Sequence, residues 1–315
     1  RCCRAHGRTG SHRQDHERKV TTAAQKEAQR NRNTIFIEDG ELLTVEEFPG
    51  EQFIMRIRSP KCAAAAQPGS FVHLTCDDTL PMRRPLSIMR VEGKCIEILF
   101  KTVGNGLRRL SDKRPGDFIS VLGPIGQPFR PSTERPNTLL IGGGVGIPPM
   151  VFIADYLRQQ GGDWAPLAIL GSELPFPFEL QAAKTQTPWV DEKISATMPL
   201  LESWNIPCRL ATLAGFEGCF DGYVTELADQ WLSTRSADEL QKVEVFSCGP
   251  TPMLKAVAAL AEKYDLPCQV SLEEFMACAV GGCAGCAVKI NTPDGEAMKR
   301  VCVDGPVFEA STVVW

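Results

Sequence analysis

Four cysteines in the C-terminal part of the chain carry its most specific chemistry. Cys278, Cys283 and Cys286 follow the spacing C-x4-C-x2-C, and Cys302 lies further on. Thiolates in this order are the ligand pattern of plant-type [2Fe–2S] centres. Gly281, Gly282, Ala284 and Gly285 occupy the gaps, which leaves a loop room to wrap a cluster and lets backbone N–H groups face anionic sulfur. Zinc also accepts four thiolates, although its sites more often show two short C-x2-C pairs. Unrelated buried thiols are the remaining reading. Cys62, Cys76, Cys95, Cys208, Cys219, Cys248 and Cys268 show no such grouping and read mostly as small core residues.

A second constellation is made of glycines. The apolar residues 138–141 run into Gly142, Gly143, Gly144, Val145 and Gly146, and a helical pattern follows from about residue 148 to 159. Glycines at a strand-to-helix turn let a pyrophosphate approach the backbone, and the helix N-terminus supplies free N–H donors. Pro148 suits the first helical turn. The run lacks the last glycine of G-x-G-x-x-G, and a plain tight turn is the alternative. About a hundred residues on, Cys248, Gly249 and Pro250 form a similar loop at a strand end before a helix. Two such loops can flank one dinucleotide crevice in an open α/β sheet. Cys248 then faces the nicotinamide or is a core cysteine.

A third set lies earlier. Arg83 and Arg84 precede Pro85, Leu86 and Ser87 at the start of an apolar strand; an arginine there can pair with phosphate, and Ser87 offers a donor to a ring. Gly104, Gly106 and Leu107 read as a flexible glycine turn near a strand end. A solvated arginine pair and an ordinary turn are the alternatives.

Taken in order, R-x-x-S, G-x-G, G-G-G-x-G-x-x-P and C-G-P-x-x-M resemble the ferredoxin–NADP reductase superfamily. The appended cysteine segment, residues 273–286 with 301–308, is similar to the electron-transfer subunits of NAD-dependent dihydroorotate dehydrogenases. The resemblance spans roughly residues 35–310. It implies FAD on a β-barrel, NAD(H) on an α/β domain and a [2Fe–2S] cluster on the tail. It places Arg84, Pro85, Leu86, Ser87, Gly104, Gly106 and Leu107 at FAD, and Gly143, Gly144, Gly146, Pro148, Cys248, Gly249 and Pro250 at the nucleotide. Ser87 and Cys248 are its candidate catalytic residues, and Cys278, Cys283, Cys286 and Cys302 its metal ligands. Leu86 stands where an aromatic residue commonly lies against flavin, and Leu107 where threonine is usual. A flavin converts between two-electron hydride and one-electron transfer, which is why these parts belong together. The implied partner is an FMN-containing catalytic dihydroorotate dehydrogenase subunit in a heterotetramer, with Ala279, Val280 and residues 303–308 near the contact. A diaphorase subunit of another complex, of sulfhydrogenase or ferredoxin–NAD(P)H oxidoreductase type, and a redox-sensing protein without turnover are the other readings. After residues 167–170 come Ser172 and Glu173, with no arginine for a 2′-phosphate and an acid for a ribose hydroxyl, which favours NADH.

The elements that must position these groups fall into sections. Short β-type runs at residues 53–58, 70–74, 86–89 and 95–100, with turns at Gly93 and Gly116, predict an antiparallel barrel over residues 34–133. Alternating strands and helices, including 138–141, 167–170, 243–247 and a helix over 253–264, predict a parallel-sheet nucleotide-binding domain over residues 134–266. Residues 267–315 form a cluster module too small for a core of its own. The fold class is thus β plus α/β with a small C-terminal module.

Residues 1–33 differ from the rest. They hold nine Lys/Arg against three Asp/Glu and no Ile, Leu, Phe or Trp, so they lack the means to bury a core and read as a disordered tail. Cys2, Cys3, His6, His12 and His16 could ligate a metal there; a start that is not native is the blander reading. Beyond the tail only His73 remains, in an alternating strand, so His general-base hydrolysis is poorly supported. A net charge of −4 over 315 residues gives no reason to invoke nucleic acid. No run reaches the roughly 18 apolar residues of a membrane span. Thirteen cysteines without a disulfide framework point to the cytoplasm.

Overall fold

The computed structural model describes residues 34–315; the expectations for residues 1–33 lie outside the described residues. Six strands close into an antiparallel barrel: β1 (Phe36–Phe48), β2 (Gln52–Arg58), β3 (Phe71–Leu74), β4 (Arg84–Glu92), β5 (Cys95–Lys101) and β6 (Phe118–Ile125), in the order β1-β2-β5-β4-β3-β6. Closure removes every edge, so each backbone ladder is paired. Alternate residues such as Met55, Ile57, Ile96, Ile98, Val72 and Leu74 fill the interior. A short helix α1 (Pro60–Ala65) precedes β3, and α2 (Gly104–Ser111) precedes β6.

The second sheet has seven strands. They are β7 (Asn137–Gly143), β8 (Leu167–Gly171), β11 (Cys208–Thr212), β12 (Phe220–Asp221), β13 (Val243–Cys248), β14 (Cys268–Ser271) and β17 (Val307–Glu309). Their order is β12-β11-β8-β7-β13-β14-β17, and only β17 runs antiparallel to its neighbour. Helices α3 (Ile147–Gln160), α4 (Pro199–Ser203), α5 (Val224–Ser233), α6 (Ala237–Leu240) and α7 (Thr251–Lys263) complete this part, with a two-stranded excursion β9 (Gln181–Ala182) and β10 (Ala196–Thr197). The chain builds outward from β7 through β8, β11 and β12, then returns to β7's other side with β13. That reversal is a topological switch point, where the carboxyl ends of β7 and β13 open a crevice.

The barrel and the sheet share their packing. Phe152 of α3 enters the barrel core, while Met89 of β4 and Leu99 of β5 join the sheet's core. The expected boundary at residue 267 also runs through shared structure, because β14 and β17 are strands of the seven-stranded sheet. Between them, β15 (Ala287–Thr292) and β16 (Gly295–Arg300) form a separate hairpin beside the cysteines. The segment 267–315 was expected to be too small for a core of its own, and it buries Cys286, Ile290, Val301, Cys302 and Val313 in the sheet's core.

Candidate functional site: one crevice, one barrel strand and two thiol pairs

The four cysteines come together as two pairs. Cys278 and Cys283 sulfurs are 3.4 Å apart, and Cys286 and Cys302 sulfurs 3.3 Å apart. A disulfide would need about 2.05 Å, whereas two thiolates on one tetrahedral metal with bonds of about 2.3 Å stand about 3.8 Å apart. Each pair is therefore set to share a metal. The sulfurs thus group two and two, the arrangement a binuclear cluster requires.

Backbone geometry explains the loop. Ala279, Gly281 and Ala284 take left-handed conformations, with φ of 56°, 80° and 54°. At Gly281 a side chain would also collide with Val303 and crowd the Arg300 guanidinium, which donates to the Gly281 carbonyl at 3.1 Å. Asp304 accepts from the Arg300 backbone N–H at 2.7 Å and fixes that turn. The Gly285 N–H points at the Cys283 sulfur at 3.4 Å. Burial works against ionisation of Cys278, but N–H groups of Val280, Cys283 and Gly282 and the Cys283 thiol bring it down to about 7. Cys302 is the opposite case: burial and its Cys286 neighbour push it up to about 12. Cys286 and Cys302 are each 2% exposed, while Cys283 is open to solvent. The six cysteines Cys62, Cys76, Cys95, Cys208, Cys248 and Cys268 are buried, and Cys219 is half-buried.

The two glycine loops meet at the switch point. A Cβ on Gly146 would lie 2.2 Å from the Cys248 carbonyl oxygen, and one on Gly143 would lie 2.5 Å from the Met253 sulfur. Gly249 is likewise closed off by Met253. These three glycines let the β7 and β13 loops touch. Gly144 differs, since its φ is 55° and nothing lies within 4 Å of its Cβ position. It is the glycine that faces open space where a pyrophosphate can approach. Pro148 occupies the first turn of α3, and Pro250 caps α7. Cys248 is fully buried in the sheet's core; burial first, then the Glu273 charge, raises its thiol well above the usual range. Glu273, which the sequence reading missed, follows β14 on the same sheet edge. The residue reaches solvent, yet desolvation raises its carboxyl. Ser172 and the exposed Glu173 follow β8 on this edge as well.

The third set also assembles. Residues 104–107 are not a flexible turn but the first turn of α2, because the chain leaves β5 through Gly104 at φ 69° and then winds. A Cβ on Gly106 would lie 2.7 Å from Arg84 Nε, so the guanidinium rests directly on that helical turn. Arg84 donates to the Met82 and Arg83 carbonyls at 2.8 and 3.2 Å, which holds it there. Arg83 does something else: it ties β3 to β6 through the His73 and Ser120 carbonyls. A guanidinium above a helix N-terminus is a ready anion cradle. Ser87 is half-buried on β4 and its hydroxyl takes no partner among the described residues. Leu86 packs into the barrel core, so only its backbone can serve a ligand; Leu107 is half-buried beside that core. This fits a flavin dinucleotide: phosphate at Arg84 and Gly104–Gly106, ring along Pro85 and Ser87.

Cluster and barrel are joined directly. Gln127 N–H donates to the Gly305 carbonyl at 2.6 Å, and its side chain to the Val303 carbonyl at 3.2 Å. A Cβ on Gly126 would lie 2.3 Å from Pro306. The turn carrying Cys302 is thus seated on the barrel end. Val303, Gly305 and Pro306 are thus engaged with the barrel, while Val303, Asp304, Val307 and Phe308 stay partly exposed and Ala279 is buried. The exposed apolar residues by the thiols are Val280 at 50% and Phe275 at 94%.

Comparison with known proteins agrees with this arrangement. Residues 273–314 match the family described as the iron-sulfur cluster binding domain of dihydroorotate dehydrogenase B. The chain is 33% identical over 248 residues to the dihydroorotate dehydrogenase B (NAD(+)) electron transfer subunit of Caldanaerobacter subterraneus subsp. tengcongensis, covering 79% of this chain and 87% of that one. It is 31% identical over 281 residues to the subunit of the same name from Desulforamulus reducens, covering 88% and 98%. A solved NADH-dependent reduced ferredoxin-NADP oxidoreductase superposes with a TM-score of 0.70 at 26% identity, covering 88% of this chain and 90% of that one. The ferredoxin reductase of carbazole 1,9a-dioxygenase shares the fold, with a TM-score of 0.57 at 21% identity, covering 74% and 67%.

Proposed function

Because this chain belongs to the family of dihydroorotate dehydrogenase B electron transfer subunits, we propose that it joins an FMN-bearing catalytic subunit in a heterotetramer and couples dihydroorotate oxidation to NAD reduction. The protein is an oxidoreductase component that moves electrons between NAD(H) and a catalytic partner subunit through FAD and a [2Fe–2S] cluster. The observation that carries the reading is the joint packing of the three sets: α3 of the nucleotide crevice packs on β4, and the Cys302 turn sits on the barrel end. Residues 34–133 are assigned to FAD, 134–266 to NAD(H) and 267–315 to the cluster, with β14 and β17 fastening the last to the sheet. Eleven free cysteines among the described residues suit a reducing cytoplasm. No helix of the described residues is long and apolar enough to cross a membrane.

When bound, FAD supplies the exchange between hydride and single electrons. The chain's own residues do the placing. Gly144 and the N-terminus of α3 would receive the nucleotide's pyrophosphate, and Glu173, exposed after β8, would offer an acceptor to a ribose hydroxyl. Arg84 and the first turn of α2 would hold the flavin's phosphates, and the Ser87 hydroxyl would donate toward its ring. Glu273 and the Cys248 loop line the mouth between the two. The sulfurs of Cys278, Cys283, Cys286 and Cys302 would hold the cluster, and the exposed Cys283, Val280 and Phe275 would offer the contact to the partner.

Two tests separate these roles. Arg84→Ala will weaken FAD binding by about 1–3 kcal/mol through loss of a charge-assisted phosphate contact. Gly106→Ala will do the same by displacing the guanidinium, and the double variant will add little. Ser87→Ala will slow flavin reduction more than it changes affinity. Unchanged FAD occupancy in the arginine and glycine variants refutes the cradle. In the crevice, Gly144→Ala will raise the KM for NADH and spare the flavin spectrum, with roughly 1–2 kcal/mol of left-handed strain. Gly146→Ala will instead part the two loops and lower the melting temperature of the whole domain. Wild-type KM in Gly144→Ala would reduce the run to a turn.

A second reading rests on the ferredoxin-NADP oxidoreductase likeness, which covers nine-tenths of that chain. It makes this protein the diaphorase subunit of a ferredoxin-linked complex. Co-purification of the native complex decides between them, since the partner is an FMN-bearing dihydroorotate dehydrogenase in one case and a ferredoxin-reactive subunit in the other.

A further inference from the structure

The charge of Arg300 serves none of the roles above. Arg300 ends β16, directly opposite Ala287 of β15. That register puts it beside two ligand positions, because Cys286 immediately precedes Ala287 and Cys302 lies two residues beyond Arg300. The backbone closes the same corner, with the Val301 N–H donating to the Cys286 carbonyl at 3.0 Å. The side chain reaches the remaining segment: Nη1 donates at 3.1 Å to the carbonyl of Gly281, in the loop between Cys278 and Cys283. Arg300 thus joins the three stretches of chain that carry the four thiols. Asp304 holds it from another side, its Oδ2 accepting from the Arg300 backbone N–H at 2.7 Å and from Nε at 3.3 Å.

This pairing leaves the guanidinium turned toward the thiols. Asp304 takes the Nε edge, whereas Nη1 extends to the cysteine loop. The Asp304 carboxylate first, and the Cys302 and Cys286 thiols after it, favour the charged guanidinium, so this cation and those sulfurs are within electrostatic reach of one another. The Arg300 side chain is 40% exposed, so water and salt weaken the interaction without removing it. Reducing a cluster held by four thiolates adds one negative charge, and a fixed cation beside it favours the form that carries that charge. Net charge, hydrogen bonds around the sulfurs and solvent exposure are the protein's means of setting such potentials.

We propose that Arg300 is a positioning and tuning residue for the cluster: its guanidinium fastens the Cys278–Cys283 loop to the Cys302 turn, and its charge raises the cluster's reduction potential. The proposal rests on the assignment of a [2Fe–2S] centre to the four cysteines. Its consequence is directional, since a higher cluster potential favours passage of single electrons from flavin to cluster over their return.

The full chain, loaded with FAD and cluster, is reduced stepwise under anaerobic conditions, with the cluster followed by electron paramagnetic resonance and iron content measured in parallel. Arg300→Gln keeps an amide donor for Gly281 and drops the charge. It is expected to move the cluster's reduction equilibrium roughly three- to tenfold toward the oxidised form, a potential about 30–60 mV lower, while the flavin potential stays. Arg300→Lys is expected to hold the potential closer to wild type and to lose iron faster to a chelator, because an ammonium supplies the charge without the planar fork that reaches Gly281 and Asp304 together. Asp304→Asn still accepts from the Arg300 N–H and is expected to shift the potential upward. Added salt should shrink both shifts. A merely structural residue gives no such reversal of sign with charge. The proposal is overturned if Arg300→Gln with full iron keeps the wild-type potential, if Asp304→Asn moves it downward or not at all, or if Arg300→Lys loses iron no faster than wild type. If Arg300→Gln holds no iron, Asp304→Asn decides the tuning by the same criterion. Stoichiometric zinc in place of iron in the wild-type protein rejects the cluster assignment beneath the proposal, whereas unmoved potentials in iron-replete variants reject only the role of Arg300.

Discussion

Cys302→Ser and Cys286→Ser will abolish the [2Fe–2S] centre, while Cys283→Ser will keep an altered one. The difference follows from burial. Cys286 and Cys302 are enclosed with Ala279, Ile290 and Val301 in the sheet's core, where a serine hydroxyl with its high pKa must ionise without water to ligate iron. Desolvation of that kind opposes the charged form. At exposed Cys283, solvent and the Gly285 N–H can support an oxygen ligand in place of sulfur. Iron analysis, visible absorbance and the electron paramagnetic resonance of the reduced protein read the outcome. The buried variants should retain almost no iron, and Cys283→Ser a substantial share with a shifted potential. FAD and NADH binding should survive in all three, because the residues proposed for them lie on β4, α2, β7, α3 and the loop after β13, away from these cysteines. A Cys302→Ser protein with full iron and an unchanged spectrum would show that another residue is the fourth ligand. Stoichiometric zinc and no iron in the wild-type protein would overturn the cluster itself.

Local chemistry was the most legible part of this fold. The C-x4-C-x2-C spacing marks cysteines that the fold does bring together in pairs, because a tight loop is set by near neighbours, and the glycine run after residues 138–141 marks a strand-to-helix turn for the same reason. The switch point was only half visible. Sequence order gave two loops at strand ends, but their contact at Gly146 and Cys248 is a product of β13 returning beside β7. The first turn of α2 was misread because Gly104 and Gly106 are poor helix formers. There the barrel wall and the Arg84 guanidinium supply what propensity lacks. The placement of β17 beside β14 was hidden for a different reason: three residues cannot advertise a pairing made across some forty residues of chain. Arg83 and Arg84 look alike in sequence and differ in the fold, one stapling strands and the other resting on the first turn of α2. His73 read as a strand residue, which it is; that it is buried depends also on a segment two hundred residues away, whose Met276 backbone reaches its ring.

The isolated chain will oxidise NADH with artificial acceptors and form no orotate until an FMN-bearing catalytic subunit is added. Oxidising dihydroorotate removes a hydride and a proton, so it needs a substrate pocket with a base poised to take the proton. In the function proposed, the polar groups gathered at the described sites are already assigned: Arg84 and Ser87 to the flavin, the β7 and β13 loops to the nucleotide, and the thiols to the cluster. His73 is the one histidine among the described residues, and it is buried and neutral. Cys283, Val280 and Phe275 reach solvent, and in the function proposed this face is the exit for electrons. A nearly fully exposed phenylalanine beside a redox centre is an anchor suited to a partner's pocket. Phe275→Ala should therefore weaken assembly with the catalytic subunit by at least tenfold while leaving NADH oxidation by the free chain unchanged. Anaerobic mixing of purified chain, partner, dihydroorotate and NAD, with orotate and NADH followed separately, measures both statements. NAD-dependent orotate production by the chain alone would overturn the division of labour, and undiminished assembly of Phe275→Ala would move the docking face elsewhere.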